Sequence, residues 1–472
     1  MASSGDLEFY RGVVEDVYRG SVERGGRLPG SPGDRWVEEY LRGRLEELGL
    51  EVHVDSYRAR GWLARSWSLE VWDGSKWVEV PSYYMARTGP GSVEGRLAFI
   101  GSAHSPSIEG SLEGRIAVST LEFPSLSLGL LVPAAIHVSD PDGSLEASAG
   151  LGEAKPSVYM TRLEPSECGC PVDPLSYEAS QKAGASGYVG VLMNYPDMGC
   201  GEFTYYAPSD GVLRGLPGLW VEARSAGRLE ELARSTARAR LSLEAETGEV
   251  EGRNVYAILP GRGEGVVVVH SHHDAPYGGA VQDASGVAFV LLLARHYASK
   301  AREGWTPRHT MVFLFTEGHF DSGSGQEAFL EAHRDLAGRI LVDIAVEHIG
   351  MEYAVRDGKA YPTGRPEPRA IFASEDKPYI VEAFKRALEA HRPRSTLLLP
   401  TSTILGVPSD ANRFWRRGVP VASLISGPIY MFSSCDTPEK VAYSDIPVLL
   451  DVYRDAIDYI LDHAPEPGQA TQ

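Results

Sequence analysis

The chain has 472 residues and a formal net charge of −19, with 43% hydrophobic and 23% charged residues. That ordinary globular composition excludes a disordered, collagenous or coiled-coil chain, and at ~100–200 residues per domain the length predicts two or three domains. The acidic balance excludes a whole-chain footprint for nucleic acid or for an anionic membrane surface.

Three Asn and five Gln, with eight Lys against 37 Arg, leave the chain poor in thermolabile amides. A heat-adapted source is the expectation, although a GC-rich genome also favours Arg over Lys. The segment from Met1 to Glu8 has neither a basic nor an apolar leader region, and the longest apolar patch, around 128–136, is far shorter than the ~20 residues of a membrane helix. A cytoplasmic protein without a membrane partner is expected. Cys168, Cys170, Cys200 and Cys435 are too few for a disulfide scaffold. The first three lack a neighbouring His and make a poor zinc site, and Cys435 reads as a small filler residue.

In chain order, residues 34–48 show helical periodicity, with Val37, Leu41, Leu45 and Leu48 on one stripe, Asp34 as N-cap and Gly49 as stop. Residues 50–57 then alternate like a strand. From about 60 to 250 the predicted strands are short (93–103, 112–120, 188–193, 219–221), with short helices at 179–185 and 228–233. From 254 strands and helices alternate cleanly: strands at 254–259, 266–270, 311–315, 340–346, 370–373, 396–399 and 419–423, and helices at 286–299, 326–336, 378–391 and 446–461. Such alternation predicts an α/β fold with a mainly parallel twisted sheet flanked by helices. Ligands bind such sheets at the C-terminal ends of the strands.

Polar residues gather where those strands end. Strand 266–270 runs into Ser271-His272-His273-Asp274, strand 311–315 into Thr316-Glu317-Gly318-His319-Phe320-Asp321, and strand 340–346 into Glu347-His348. Gln282-Asp283 and Ser409-Asp410 lie in neighbouring turns. Five of the 13 histidines (His270, His272, His273, His319, His348) fall at three strand ends. Imidazole and carboxylate converging from separate strands suit a divalent transition metal. The spacing His272-x-Asp274 would let a carboxylate hold the second ring nitrogen of a ligating imidazole.

The run Val266-Val-Val-Val-His-Ser-His-His-Asp-Ala-Pro, with Gly279-Ala-Val-Gln-Asp-Ala-Ser-Gly-Val-Ala after it and Asn254-Val-Tyr-Ala-Ile-Leu-Pro-Gly before it, resembles the M28 family of zinc aminopeptidases. Residues 34–57, Ser409-Asp410, Gly418-Val-Pro and Asp436-Thr437 resemble other parts of the same family. Residues 93–221, with Gly184-Ala-Ser-Gly, resemble the protease-associated insert of several M28 branches. The resemblance implies an α/β domain of residues 1–60 and 251–464, a β-rich insert at 61–250, and a mobile tail at 465–472.

The family carries two zinc ions joined by one Asp and held by two His, a Glu and a second Asp, with an adjacent Glu as general base. Carried over, the first His is His272, oriented by Asp274. The bridging Asp falls on Gln282 or, one residue on, Asp283. The Glu-Glu pair falls on His319 and Phe320, the second Asp on Glu347, and the last His on Phe432. Phenylalanine cannot ligate, so the second metal position is lost. A single divalent metal, zinc, would be held by His272, His319 and Glu347 with Asp283, and Asp283, Glu317 or Asp274 would carry protons. His273, Gln282, His348 and Asp410 form a second tier. The implied function is metal-dependent hydrolysis of a peptide or small amide. The alternatives are glutaminyl-cyclase-like acyl transfer on the same scaffold, or a catalytically inactive peptidase homologue acting as a binding protein. The sequence leaves oligomeric state open, a homo-oligomer included.

Overall fold

The computed structural model describes residues 3–123, 125–145, 155–156, 175–201, 203–208, 210–404 and 406–468. Cys168, Cys170 and the last four residues of the predicted tail lie outside them. A helix not predicted from the sequence, Ser4–Val22, opens the chain with a capping box of Ser3 and Asp6. The next helix is Pro32–Glu47. Its cap is Ser31 rather than Asp34: the Ser31 hydroxyl accepts the Asp34 N–H at 3.1 Å, and Pro32 fills a first-turn position that needs no donor. The Asp34 carboxylate turns back and accepts the Gly30 N–H at 2.9 Å.

The predicted strand at 50–57 does not stop there. It continues as Glu51–Trp72 and pairs antiparallel with Arg238–Leu259 from Glu51↔Ile258 to Val71↔Ala239. This long ribbon joins two halves of one sheet. On one side Arg238–Leu243 pairs antiparallel with the strand Gly91–Ser102, from Arg238↔Arg96 to Leu243↔Gly91, and that strand leads on to Arg115–Leu121, Gly187–Leu192, Gly218–Glu222 and Ser82–Tyr84. On the other side Val255–Leu259 pairs with Thr310–Thr316, followed in space by Val266–His272, Ile340–Val346, Val421–Ser426, Arg369–Ala373 and Thr396–Pro400. The strands Thr310–Thr316, Val266–His272, Ile340–Val346 and Val421–Ser426 are mutually parallel. They read as unbroken apolar runs because helices cover both faces. The outermost strand of this half, His137–Ser139, comes from the predicted insert and pairs antiparallel with Thr396–Pro400.

Helix Ser285–Arg302 packs its Val287–Leu293 run into one core with Val267, Val269, Ile344 and the helix Ile446–His463. A second core gathers Trp220, Tyr188, Tyr205, Tyr206 and Val189 and reaches across to take in Phe320, Met431 and Phe432. That reach seats Tyr206 on Phe320, just past the C-terminal end of the strand Thr310–Thr316. Among the described residues no helix is long and apolar enough to cross a membrane.

Candidate active site

Three strand ends deliver the site. Side chains alternate along Val266–His272, so His270 and His272 share a side while His273 leaves on the other. His272 is fully buried, and its Nδ1–H donates to the Asp274 carbonyl at 3.0 Å. Its Nε2 is left buried without a partner. His319 follows the strand Thr310–Thr316, and its Nδ1–H donates to Asp410 Oδ1 at 2.5 Å. The two imidazoles stack at 3.8 Å and 6°. Glu347 follows Ile340–Val346, and its Oε1 accepts the Asp410 N–H at 2.8 Å while Oε2, 3.9 Å from His348 Nε2, stays buried without a hydrogen bond. One ligand atom from each of His272, His319 and Glu347 lies within 4.8 Å of the others.

The electrostatics follow from burial among carboxylates. Burial alone would lower His272, but Asp410, Asp274 and Asp283 overcome it and hold the ring at about 9. Burial, reinforced by Asp410, pushes Glu347 well above the usual carboxylate range. Burial would raise Asp410 as well, yet the facing imidazoles His319 and His272 hold it well below that range. The cluster therefore keeps protons on its own, and a divalent cation entering it would displace them.

The other predicted residues are placed as follows. Asp274 sits behind the pair: Oδ1 and Oδ2 accept the His319 and Phe320 N–H groups, each at 3.2 Å. Asp283 is outside the three-ligand cluster. Its oxygens accept the Ser271 hydroxyl at 2.6 Å, the His348 N–H at 3.0 Å and the Gly286 N–H at 3.2 Å, and burial pushes it to about 7. Gln282, one residue earlier, is the member of that turn that reaches the imidazoles: Nε2 lies 3.4 Å from His319 Nε2, and Oε1 is buried without a partner. Glu317 also lies apart, in a second buried group with Asp34 and Glu38. Its Oε2 accepts the Arg253 N–H at 2.5 Å. His273 Nε2 meets the Arg253 carbonyl at 3.1 Å, and burial lowers this ring to about 4. His348 Nδ1 donates to the Ser426 carbonyl at 3.2 Å. His270 is occupied by Thr316 and Asp343.

Where the resemblance places a second metal, aromatic rings stand. Phe320 packs edge-on against His319 at 4.9 Å, against Tyr206 at 5.3 Å and against Phe432 at 6.1 Å. Three further supports stand behind the turn that carries Gln282. Arg27, fully buried, donates to the carbonyls of His273, Gly278 and Gly279 and so grips the turn that carries Gln282. Asp436 accepts the Val281 and Gln282 N–H groups at 2.7 and 2.8 Å. Cys435, beside it, forms a disulfide with Cys200, their Cα atoms 5.5 Å apart. That agrees with the reading that Cys200 does not serve a zinc site and corrects the other: Cys435 is no inert filler. The partners stand 235 residues apart, beyond any spacing argument.

Residues 254–456, which carry every strand end of the site, match the model of peptidase family M28. The chain superposes on an aminopeptidase from Aneurinibacillus sp. strain AM-1 with a TM-score of 0.61 at 16% identity, over 98% of this chain and 95% of that one. A zinc aminopeptidase from Bacillus subtilis gives 0.68 at 14%, over 96% and 94%. A peptidase M28 precursor from Shewanella amazonensis gives 0.65 at 15%, over 98% and 100%. At such identities the likeness is one of fold, and its coverage runs through both halves of the sheet. A search of curated proteins found no match.

Proposed function

We propose that this protein is a metal-dependent hydrolase of peptide or amide bonds that works with a single divalent ion. One observation carries the reading: His272, His319 and Glu347 present ligand atoms within 4.8 Å of one another in a buried site. The donors fit the group. His272 Nε2 and Glu347 Oε2 are buried without hydrogen-bond partners, and each imidazole spends Nδ1 on an oxygen, so Nε2 is the atom that would take a metal once the ring's second proton is displaced. Two imidazoles and one carboxylate are a normal zinc set that leaves a position open. When bound, the ion supplies Lewis acidity toward a carbonyl oxygen and makes a water acidic near neutral pH.

The chain's own residues orient and enclose. Asp410 fixes both other elements of the cluster, His319 through its carboxylate and Glu347 through its N–H. Asp274 fixes the turn of His319 and Phe320. Phe320, Phe432 and Tyr206 exclude water from the side opposite the strands. Asp283 holds the first turn of the following helix against Ser271 rather than facing a reacting atom.

The test is metal content with His272→Ala, His319→Ala and Glu347→Ala, followed by hydrolysis of aminoacyl anilides and cyclisation of N-terminal Gln peptides. One equivalent of zinc, lost in all three variants, with anilide hydrolysis, supports the proposal. Unchanged metal content in the variants overturns the ligand set. Cyclisation instead of hydrolysis selects the acyl-transfer alternative. Stoichiometric zinc with neither activity selects a binding role, a reading favoured by the burial of the whole cluster under aromatic rings.

A further inference from the structure

Cys200, Thr204 and Tyr206 tie a strap to the loop 432–435 beside the strand ends. Thr204 and Ser434 bond twice at 2.7 Å, hydroxyl to hydroxyl and Ser434 N–H to Thr204 Oγ1. The Tyr206 N–H donates to the Phe432 carbonyl at 2.7 Å, and the Tyr206 ring lies on Phe320, itself against His319. One covalent bond pins the strap, Cys200–Cys435. The pin has the features of a latch. Cys200 is exposed while Cys435 is 4% exposed, so one sulfur is open to attack. Gly199 and Gly201 flank it at φ +68° and +100°, where only glycine turns without strain, and nothing stands within 4 Å of either position's would-be Cβ. Its far end is the residue before Asp436, whose carboxylate holds the Val281 and Gln282 N–H groups.

We propose that the Cys200–Cys435 disulfide is a redox latch on the site: intact, it holds the strap and Tyr206 down over the His272–His319 pair; reduced, it lets the strap lift and opens access. The step balances with a dithiol reductant. Its thiolate attacks the Cys200 sulfur, the bond to Cys435 breaks, and the mixed disulfide resolves. Cys200 and Cys435 end as thiols, and the reductant, having given two electrons and two protons, ends as a cyclic disulfide. The inference rests on the reading of this cluster as the working site, but access to its imidazoles can be measured whether or not zinc binds.

The experiment is carbethoxylation of the full-length protein with diethyl pyrocarbonate, read by peptide mass spectrometry at His272 and His319, with exposed His104 as internal control. It is run with and without dithiothreitol, on zinc-supplemented and chelator-treated protein, and zinc content is assayed separately. Reduction should speed modification of His272 and His319 on the order of tenfold, because the strap loses its intramolecular tether, and leave His104 unchanged. The Cys200→Ser/Cys435→Ser variant should react at the faster rate whatever the reductant. Tyr206→Ala, which keeps the disulfide, should also react faster. Equal rates in oxidised and reduced wild type, or a reductant response that survives in the double Ser variant, would overturn the latch. If the variant fails to fold, the wild-type comparison decides alone. A chain that takes up no zinc yet shows the reductant response overturns the hydrolase reading and keeps the latch.

Discussion

Asp410→Asn isolates one charge at the point where two elements of the cluster meet. The carboxylate accepts from His319 Nδ1 at 2.5 Å, and the backbone N–H of the same residue donates to Glu347 at 2.8 Å. Asparagine keeps the shape and the backbone contact, so Glu347 stays in place. What is lost is the negative charge that backs the His319 ring and makes it a better donor. Removing such an outer partner costs about 10–100-fold in metal affinity, which is about 1.4–2.8 kcal/mol. Competition titration with a chromophoric zinc chelator, wild type against variant at one pH, measures it directly. Thermal unfolding of the metal-free forms controls for a general loss of structure. Equal affinities in the two proteins would refute the claim that Asp410 acts through His319, and a wild type that takes no zinc would refute the site itself.

Saturating zinc at about 100 times its Kd should stabilise the folded chain by ~2.7 kcal/mol and raise its Tm by a few degrees, an effect absent from Glu347→Ala; an equal rise in both would place binding elsewhere. Burial pushes Asp436 up to about 6 against the opposing pull of the Val281 and Gln282 N–H groups. Its folded form holds a proton that the unfolded chain releases, so its contribution is whole at acid pH and lost as the pH climbs through about 6. Urea unfolding between pH 4.5 and 7 should show a fall in stability that flattens in Asp436→Asn, and an unchanged profile would refute it. Asp445, 2% exposed, bonds the buried Arg369 and also Arg394 at 2.6 Å. Asp445→Ala strands the Arg369 guanidinium, and chemical unfolding should show a loss of about 3–5 kcal/mol; a loss under 1 kcal/mol, the size of an exposed pair, would refute that.

The parallel half of the sheet was legible because Val266–Val269 and its neighbours are buried on both faces and write an unbroken apolar run. Where those runs end, His272, His319 and Glu347 announce themselves by residue type, and the α/β fold with its parallel strands fixes that these ends lie together. The choice between Gln282 and Asp283 was not legible. Adjacent residues in an irregular turn differ only by which way each side chain leaves, and that is settled by Ser271, Gly286 and His348 taking the Asp283 carboxylate. Glu317 shows the same limit: it stands two residues from His319, yet it turns to Asp34 and Glu38 on the helix Pro32–Glu47. Arg27 was invisible because its partners are backbone carbonyls, which every residue carries. The Ser4–Val22 helix buries only Tyr10, Val13, Val14, Val17, Gly20 and Ser21 among many charged residues, so its apolar stripe is thin.

The short strand His137–Ser139 has a consequence for any attempt to trim the molecule. Excision of the intervening segment would leave Thr396–Pro400 with one row of backbone donors and acceptors bare, beside the apolar side chains of Leu397, Leu398 and Leu399. A bare apolar margin of that kind recruits further strands from other molecules. A trimmed chain should therefore self-associate and precipitate even if every residue around His272 were intact.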